Sequence, residues 1–327
     1  MRRRPLLLAS GATLLGSAFV APHALGQAAR QPRRIAYLTA SSEANLVRYL
    51  QAFRDGLRER GLVEGRDFVI DIRYAAGRAQ DLARLAAELA ALDPVVFVAP
   101  GAPATDAALA ATASTPIVSL GDLVANGHAA QLGRPGGRVT GISFLPQPLN
   151  AKRLELLAEA LPKGSAVLNL ADPLATPAGY MQVVEDAGRS LGLVLHAAQA
   201  TTPAQIDAAF DSARKLRVAG INVLNSPFLY GNRERLFELA ANARLPAIYQ
   251  WPEAAREGGL MGYGPSITAM NRQLAGYAAR ILNGARPAEL PIEQPTRFEL
   301  VINLKTARAL GMTIPQGLLL RADEVIE

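Results

Sequence analysis

The sequence predicts an α/β protein built from two doubly wound, Rossmann-like lobes. Short apolar runs alternate with longer stretches that repeat apolar residues at helical spacing, which is typical of βα units and a largely parallel sheet. This alternation runs through the first half of the chain and restarts near Asn150. Because 327 residues are enough for two domains, we expect each run to form one lobe.

The first run contains apolar segments of strand length, separated by longer segments of helical period. We predict its strands at residues 35–39, 68–74, 95–99, 116–120 and 138–142. Its helices are predicted at residues 45–60, 79–92 and 103–113.

The second run repeats the pattern but begins with a helix. Its helices are predicted at residues 150–161, 177–191, 203–216 and 231–243. Its strands are predicted at residues 166–170, 193–198, 220–224 and 247–249, and a further helix at 267–283.

The first 26 residues have the order of a secretory signal peptide. Arginines at positions 2–4 precede an apolar run at residues 6–21, and the small residues Ala24 and Gly26 follow. The run is shorter than the roughly 20 apolar residues that a membrane anchor needs. We expect export and cleavage after Gly26, while the Arg3-Arg4 pair leaves the general secretory and twin-arginine routes both open.

The composition excludes several kinds of attachment and binding site in the exported chain. It contains no cysteine, which excludes a lipid-anchored lipoprotein, disulfides and thiolate metal sites. Its formal net charge of +6 falls to +3 when the three leader arginines are removed. The remaining basic residues are scattered among acidic ones, so no nucleic-acid-binding surface is expected.

The ends of the predicted strands carry small and hydroxyl residues with few charges. Open parallel sheets bind ligands in the crevice at these carboxyl ends, where helix N-termini also meet. Each residue alone is better explained by a turn or a helix cap, but together the strand ends favour a cleft for a small polar or anionic solute. These strand-end segments are Ser41-Ser42, Gly101-Ala102-Pro103, Gly121-Asp122, Asp172-Pro173, Ser226-Pro227 and Gln250-Trp251.

The sequence does not support an enzyme. His128 and His196 are far apart and lack metal-ligand spacing, and no G-x-S-x-G motif occurs. The first βα turn, residues 39–43, contains no glycine, which disfavours a nicotinamide cofactor. We therefore expect no catalytic residues, no metal and no cofactor.

The carboxyl-terminal third carries a family resemblance. It contains GGLMGYG at residues 258–264, QPTRFELVINLKTA at 294–307, LGMTIP at 310–315 and RADEVIE at 321–327. Shorter matches are FRDGL at 53–57, RPGG at 134–137 and LPAIY at 245–249. In this order and spacing the segments strongly resemble ABC transporter substrate-binding proteins of the tryptophan-binding-protein-like family, over nearly all of the mature chain.

The resemblance implies a type I periplasmic-binding-protein fold, in which two lobes are joined by three crossings and close on a ligand. We expect lobe 1 at residues 33–145 plus 266–294, and lobe 2 at 146–265 plus 295–327. The crossings are predicted near residues 143–148, 264–266 and 291–297.

The resemblance also implies a function. We expect a monomeric periplasmic protein that captures a small solute and delivers it to an inner-membrane ABC permease. A second hypothesis is a ligand-responsive sensor that presents its closed form to a membrane receptor. An exported α/β enzyme is the third and least supported hypothesis.

Carrying the family's ligand loops onto this sequence gives a set of expected binding residues. Trp251 could either stack on the solute or pack within a lobe. Asp172 stands where relatives often have asparagine, and an added carboxylate in the cleft would repel an anion and favour a cationic or amine-bearing solute. The expected solute is small and is amino-acid-like, aromatic or amine-bearing. The expected binding residues are Ser41, Ser42, Gly101, Ala102, Pro103, Asp122, Asp172, Ser226, Tyr249 and Trp251.

Overall fold

The first half of the chain forms a parallel sheet flanked by helices. The computed structural model describes residues 31–144, 146–176 and 178–327, so the predicted signal peptide lies outside the described residues. The sheet has the strand order β2-β1-β3-β4-β5, and its neighbouring strands are parallel. In chain order its elements are β1 (Arg33–Thr39), α1 (Glu43–Arg58), β2 (Phe68–Tyr74), α2 (Leu82–Ala90), β3 (Val96–Val98), α3 (Ala102–Ala111), β4 (Ile117–Gly121) and β5 (Val139–Ser143).

The second half forms a larger sheet. Its strand order is β12-β11-β10-β9-β8-β6-β7, and the pairs are parallel except for β10 with β11. Its elements, together with a long helix that returns to the first sheet, are α4 (Pro146–Glu159), β6 (Ala166–Ala171), α5 (Ala178–Ser190), β7 (Val194–Gln199), α6 (Pro203–Lys215), β8 (Gly220–Val223), α7 (Pro227–Gly231), α8 (Arg233–Ala243), β9 (Ala247–Tyr249), α9 (Pro252–Arg256), β10 (Met261–Gly264), α10 (Ile267–Leu282), β11 (Glu299–Asn303), α11 (Leu304–Leu310), α12 (Gln316–Leu319) and β12 (Glu324–Ile326).

The sheets of both lobes are covered on both faces: one buried apolar cluster belongs to the first lobe, one belongs to the second, and a third includes residues of both. In β1, Ile35 and Tyr37 belong to one buried cluster while Ala36 and Leu38 belong to another on the opposite face. Burial on both faces is the property that gives parallel strands their short, continuous apolar runs. The predicted two-lobed, doubly wound fold class is therefore confirmed.

Within the described residues the chain passes between the lobes three times. It leaves the first sheet after β5 and enters α4, and it leaves β10 for α10, which packs on α1. After α10, the carbonyl oxygen of Glu293 accepts a hydrogen bond from the amide of Ser143 at 2.9 Å. The chain then enters β11 in the second sheet. Arg153 of α4 is buried, and its Nε donates to the carbonyl oxygen of Tyr263 at 2.9 Å, which links the first two passages.

Most predicted elements are present, with shifted ends. The predicted helix at 231–243 corresponds to α8, which begins at Arg233, and the short helix α7, capped by Ser226, precedes it and was not predicted. The predicted helix at 79–92 begins with a short 3-10 turn, and α4 begins at Pro146, earlier than predicted. The pattern had not indicated α9 or the strands β10, β11 and β12. No helix in the described part of the chain is both long and apolar enough to cross a bilayer.

Candidate ligand-binding cleft

A cleft lies between the lobes, where the carboxyl ends of strands from both sheets meet. The space between its walls, including the part open to solvent, is about 870 Å³. The first lobe contributes Tyr37, Thr39, Ser41, Leu46, Tyr49, Pro100, Gly101, Ala102, Leu120, Gly121, Asp122, Asn126, Phe144, Ile267 and Asn271. The second lobe contributes Ala175, Tyr180, Asn225, Pro227, Tyr230, Gln250 and Trp251.

Aromatic rings form much of the cleft wall. Trp251 is 4% exposed and meets Phe144 edge-to-face, with ring centroids 5.2 Å apart. The hydroxyls of Tyr49 and Tyr230 lie 2.6 Å apart, so these two rings join the lobes. Burial is the main reason that the pKa of each of these tyrosines is raised, and both stay protonated and able to donate.

Among the described residues that line the cleft, Asp122 is the one charged residue. No lysine, arginine or histidine of the described residues lines it. The Asp122 Oδ2 atom accepts a hydrogen bond from the Tyr180 hydroxyl at 2.6 Å, and Oδ1 accepts from the Ala125 amide at 3.2 Å. Burial and the neighbouring carboxylate raise the pKa of Tyr180. The carboxylate therefore gives the cleft a negative character, with spare acceptor capacity.

Polar groups also gather on the first lobe's side. The Tyr37 hydroxyl donates to Oδ1 of Asn271 at 3.1 Å, and the Asn271 amide donates to the carbonyl oxygen of Ile267 at 2.8 Å. Burial raises the pKa of Tyr37. The helices α1, α3 and α10 begin beside the cleft, and their N-termini carry partial positive charge.

Half of the expected binding residues line this cleft. The structure brings together Ser41, Gly101, Ala102, Asp122 and Trp251, which come from both lobes. At Gly101, with φ of +92°, a Cβ atom would lie 2.9 Å from Cγ of Pro227 in the other lobe. Glycine thus permits the close approach of the two lobes at this point.

The other expected residues lie elsewhere. Ser42 caps α1 by accepting a hydrogen bond from the Asn45 amide at 3.4 Å. Ser226 is fully buried and caps α7 through the Leu229 amide at 3.1 Å. Pro103 and Asp172 line a smaller neighbouring pocket.

Two placements correct the sequence-based expectation. Tyr249 is 2% exposed and packs edge-to-face on Phe237, 5.0 Å between centroids, because its side chain points away from the cleft. Asp172 is 3% exposed, and its Oδ2 atom accepts from the Ser226 hydroxyl at 2.7 Å. Burial raises the pKa of Asp172. The argument for an amine-bearing solute therefore depends on Asp122 alone.

Several lining residues were missed because only strand ends were considered. Tyr37 and Thr39 precede Ser41 at intervals of two, and alternate residues of an extended strand share one face. That alternation could have indicated both. Asn271 lies on α10, and nothing in the local pattern indicates that this helix returns to the cleft.

Two doubly wound lobes, with a cleft between them at the carboxyl ends of their strands, define a type I periplasmic binding protein. The profile of the family described as "ABC transporter substrate binding protein" matches residues 35–326. The chain belongs to that family. It is a solute-binding protein of an ABC transporter, of a family that works outside the cytoplasm, and the sensor hypothesis is not favoured.

Solved structures share the fold. A conserved domain protein from Vibrio cholerae O1 biovar El Tor is 26% identical, with a TM-score of 0.82 over 90% of this chain and 100% of that one. An ABC domain in complex with L-Trp from Streptococcus pneumonia is 22% identical, with a TM-score of 0.81 and the same coverages. A 5-methylthioribose transporter solute-binding protein from Thermotoga lettingae has 16% identity and a TM-score of 0.58, over 88% of this chain and 97% of that one. Among curated proteins, the chain has no match.

Proposed function

We propose that this protein captures a small amino-acid-like solute, with an aromatic body and an amine, and delivers it to an inner-membrane ABC permease. The observation that carries the proposal is the composition of the cleft wall. Aromatic rings surround a carboxylate, and no basic side chain of the described residues lies among them.

The aromatic wall suits a flat apolar body. An aromatic group that buries about 150 Å² is stabilised by about 4 kcal/mol through area alone. Trp251 and Phe144 come from opposite sides of the lobe boundary, so a ring held between the lobes would contact both when they close. Aromatic burial would therefore favour the closed form as well as binding.

Asp122 suits an ammonium group. The Tyr180 hydroxyl and the Ala125 amide each donate one hydrogen bond to it, and a carboxylate can accept about four. The N-termini of α1, α3 and α10 would favour a carboxylate at the other end of the solute. One structural neighbour was crystallised in complex with L-Trp, a ligand that carries an ammonium group and a carboxylate on an aromatic body. This supports the same solute class here.

We place the protein in the periplasm as a monomer, with residues 1–26 removed as a signal peptide. The lack of cysteine supports an untethered chain. Our proposed lobe bounds remain 33–145 with 266–294 and 146–265 with 295–327, which the two separate sheets support. Ser41, Gly101, Ala102, Asp122 and Trp251 would contact the solute. The mechanism is binding and closure, with no bond made or broken.

The test is calorimetric titration of the mature chain, from Gln27 onward, after unfolding and refolding to remove any co-purified solute. L-tryptophan, tryptamine and 3-indolepropionate share an indole and differ only in their charged groups. We expect the two amines to bind, and the acid without an amine to bind at least about tenfold more weakly, a difference of about 1.4 kcal/mol. Tighter binding of 3-indolepropionate, or no binding by any aromatic amine, would reject the proposed solute class.

A further inference from the structure

We propose that Asn45 and Arg48 of the first lobe form a clasp with Arg233 and Glu257 of the second lobe, and that this clasp sets the closure equilibrium. The proposal rests on the proposed function, because it concerns how the same cleft closes. Its residues lie outside the wall of the cleft, so they would act on the solute only through the position of the lobes.

The clasp centres on Asn45, near the start of α1. Its Oδ1 atom accepts a hydrogen bond from Nη1 of Arg233 at 2.6 Å, and its Nδ2 atom donates to the carbonyl oxygen of Gly231 at 2.6 Å. One side chain of the first lobe is therefore held by two groups of the second. Because one partner is a charged guanidinium, the bond is stronger than one between neutral groups.

Arg233 is held in place before the lobes meet. It is 9% exposed, its Nε donates to Glu257, and its guanidinium lies 4.9 Å from the ring centroid of Tyr230. These contacts are within the second lobe, so they persist when the lobes separate. A guanidinium fixed in this way loses little conformational freedom when Asn45 arrives.

Arg48 makes the second charged contact. Its Nη1 atom lies 2.9 Å from Oε1 of Glu257, the residue that also pairs with Arg233. The Arg48 side chain is 57% exposed, so solvent screens this ion pair. Asn45 is therefore expected to contribute more to the clasp than Arg48 does.

The clasp lies directly behind the cleft wall. Tyr49 follows Arg48 on α1, and Tyr230 precedes Arg233 by three residues; their hydroxyls are 2.6 Å apart at the wall. The same two segments therefore carry the clasp and the wall. Closing the clasp brings these rings together, and opening it separates them. Asn45, Arg48 and Arg233 are thus positioning residues for solute capture.

The test compares wild type with Asn45→Ala, Arg48→Ala and a control, Gln51→Ala. Gln51 is an exposed amide on the same helix, and its Nε2 atom donates a hydrogen bond to Asp55 within the first lobe. Stopped-flow release of L-tryptophan and tryptamine gives koff. We expect Asn45→Ala to raise koff by about tenfold for both solutes with kon unchanged, Arg48→Ala to raise it less, and the control to leave it unchanged.

A measurement without solute tests the clasp independently of the proposed solute class. The chain has no cysteine, so two cysteines introduced at the exposed positions Val63 and Leu216, one in each lobe, can carry spin labels. Pulsed electron-spin distances then report the closed fraction with and without solute. Thermal unfolding of the solute-free variants checks that Asn45→Ala leaves the fold intact.

The outcomes separate the two proposals. A lower closed fraction in Asn45→Ala supports the clasp, even if no indole compound binds and the solute class fails. Unchanged distances with and without solute, together with an unchanged koff, would overturn the clasp while leaving the solute class standing. A koff effect on one solute alone would also overturn it, because a clasp outside the cleft must act equally on both.

Discussion

The charge of Asp122 can be removed while its contacts across the cleft are kept. In Asp122→Asn, the amide oxygen can still accept the hydrogen bond from Tyr180, so the lobes should close as before. What is lost is the attraction between a carboxylate and a solute ammonium group. A hydrogen bond to a charged group contributes about 1.5 to 3 kcal/mol, equivalent to about 10- to 150-fold in Kd. Since Asp122 is only partly buried, we expect the lower limit, about tenfold.

Calorimetry with the three indole compounds measures this effect. Tryptamine and L-tryptophan should lose about tenfold in affinity, whereas 3-indolepropionate should bind as well or better once the negative charge is removed. The matched control is Tyr180→Phe, which keeps the carboxylate and removes the bond between the lobes. That change should weaken all three compounds by a common factor. If Asp122→Asn also weakens all three equally, Asp122 acts through closure and our assignment of its role is wrong.

Three further predictions concern the stability of the fold and the fluorescence of Trp251. Gly141→Ala should lower the free energy of unfolding by about 2 to 6 kcal/mol, because φ is +139° and the new Cβ would lie 2.0 Å from the carbonyl oxygen of Ser119; urea unfolding checks this against Gly137→Ala, which has open space. Burial raises the pKa of Asp172, so the folded chain holds that proton more tightly than the unfolded chain. The free energy of unfolding should therefore fall as pH rises from the usual aspartate range to the folded-state pKa, and Asp172→Asn should remove this fall while solute binding stays unchanged. Trp251 is the chain's one tryptophan and lines the cleft, so L-phenylalanine that calorimetry shows to bind should change its fluorescence; constant emission would contradict this placement.

The fold class was predictable because buried parallel strands can be recognised directly from the pattern of apolar residues in the sequence. Strands covered on both faces need continuous apolar runs, and the helices between them need an apolar stripe. β9, in which all three residues are buried, therefore agrees with the predicted range 247–249. The carboxyl-terminal strands lack such a run, because β10 contains two glycines and β11 and β12 each begin with glutamate, and only the family resemblance indicated that region.

Part of the cleft followed from the same reasoning. The carboxyl ends of parallel strands must gather at one edge of a sheet, which placed Ser41, Gly101 and Asp122 together. Tyr249 was placed wrongly because strand position alone does not decide which face a side chain takes. The neighbouring Gln250 lines the cleft, while Tyr249 packs on Phe237.

The sequence by itself determined two lobes, their order along the chain and the edge of each sheet where a solute would bind. The docking of one lobe against the other decided the rest. The bond from Tyr180 to Asp122, the paired hydroxyls of Tyr49 and Tyr230, and the contacts of Asn45 all join residues more than 50 positions apart. Local periodicity reports which face of each element is buried, whereas these contacts depend on the relative orientation of the two sheets.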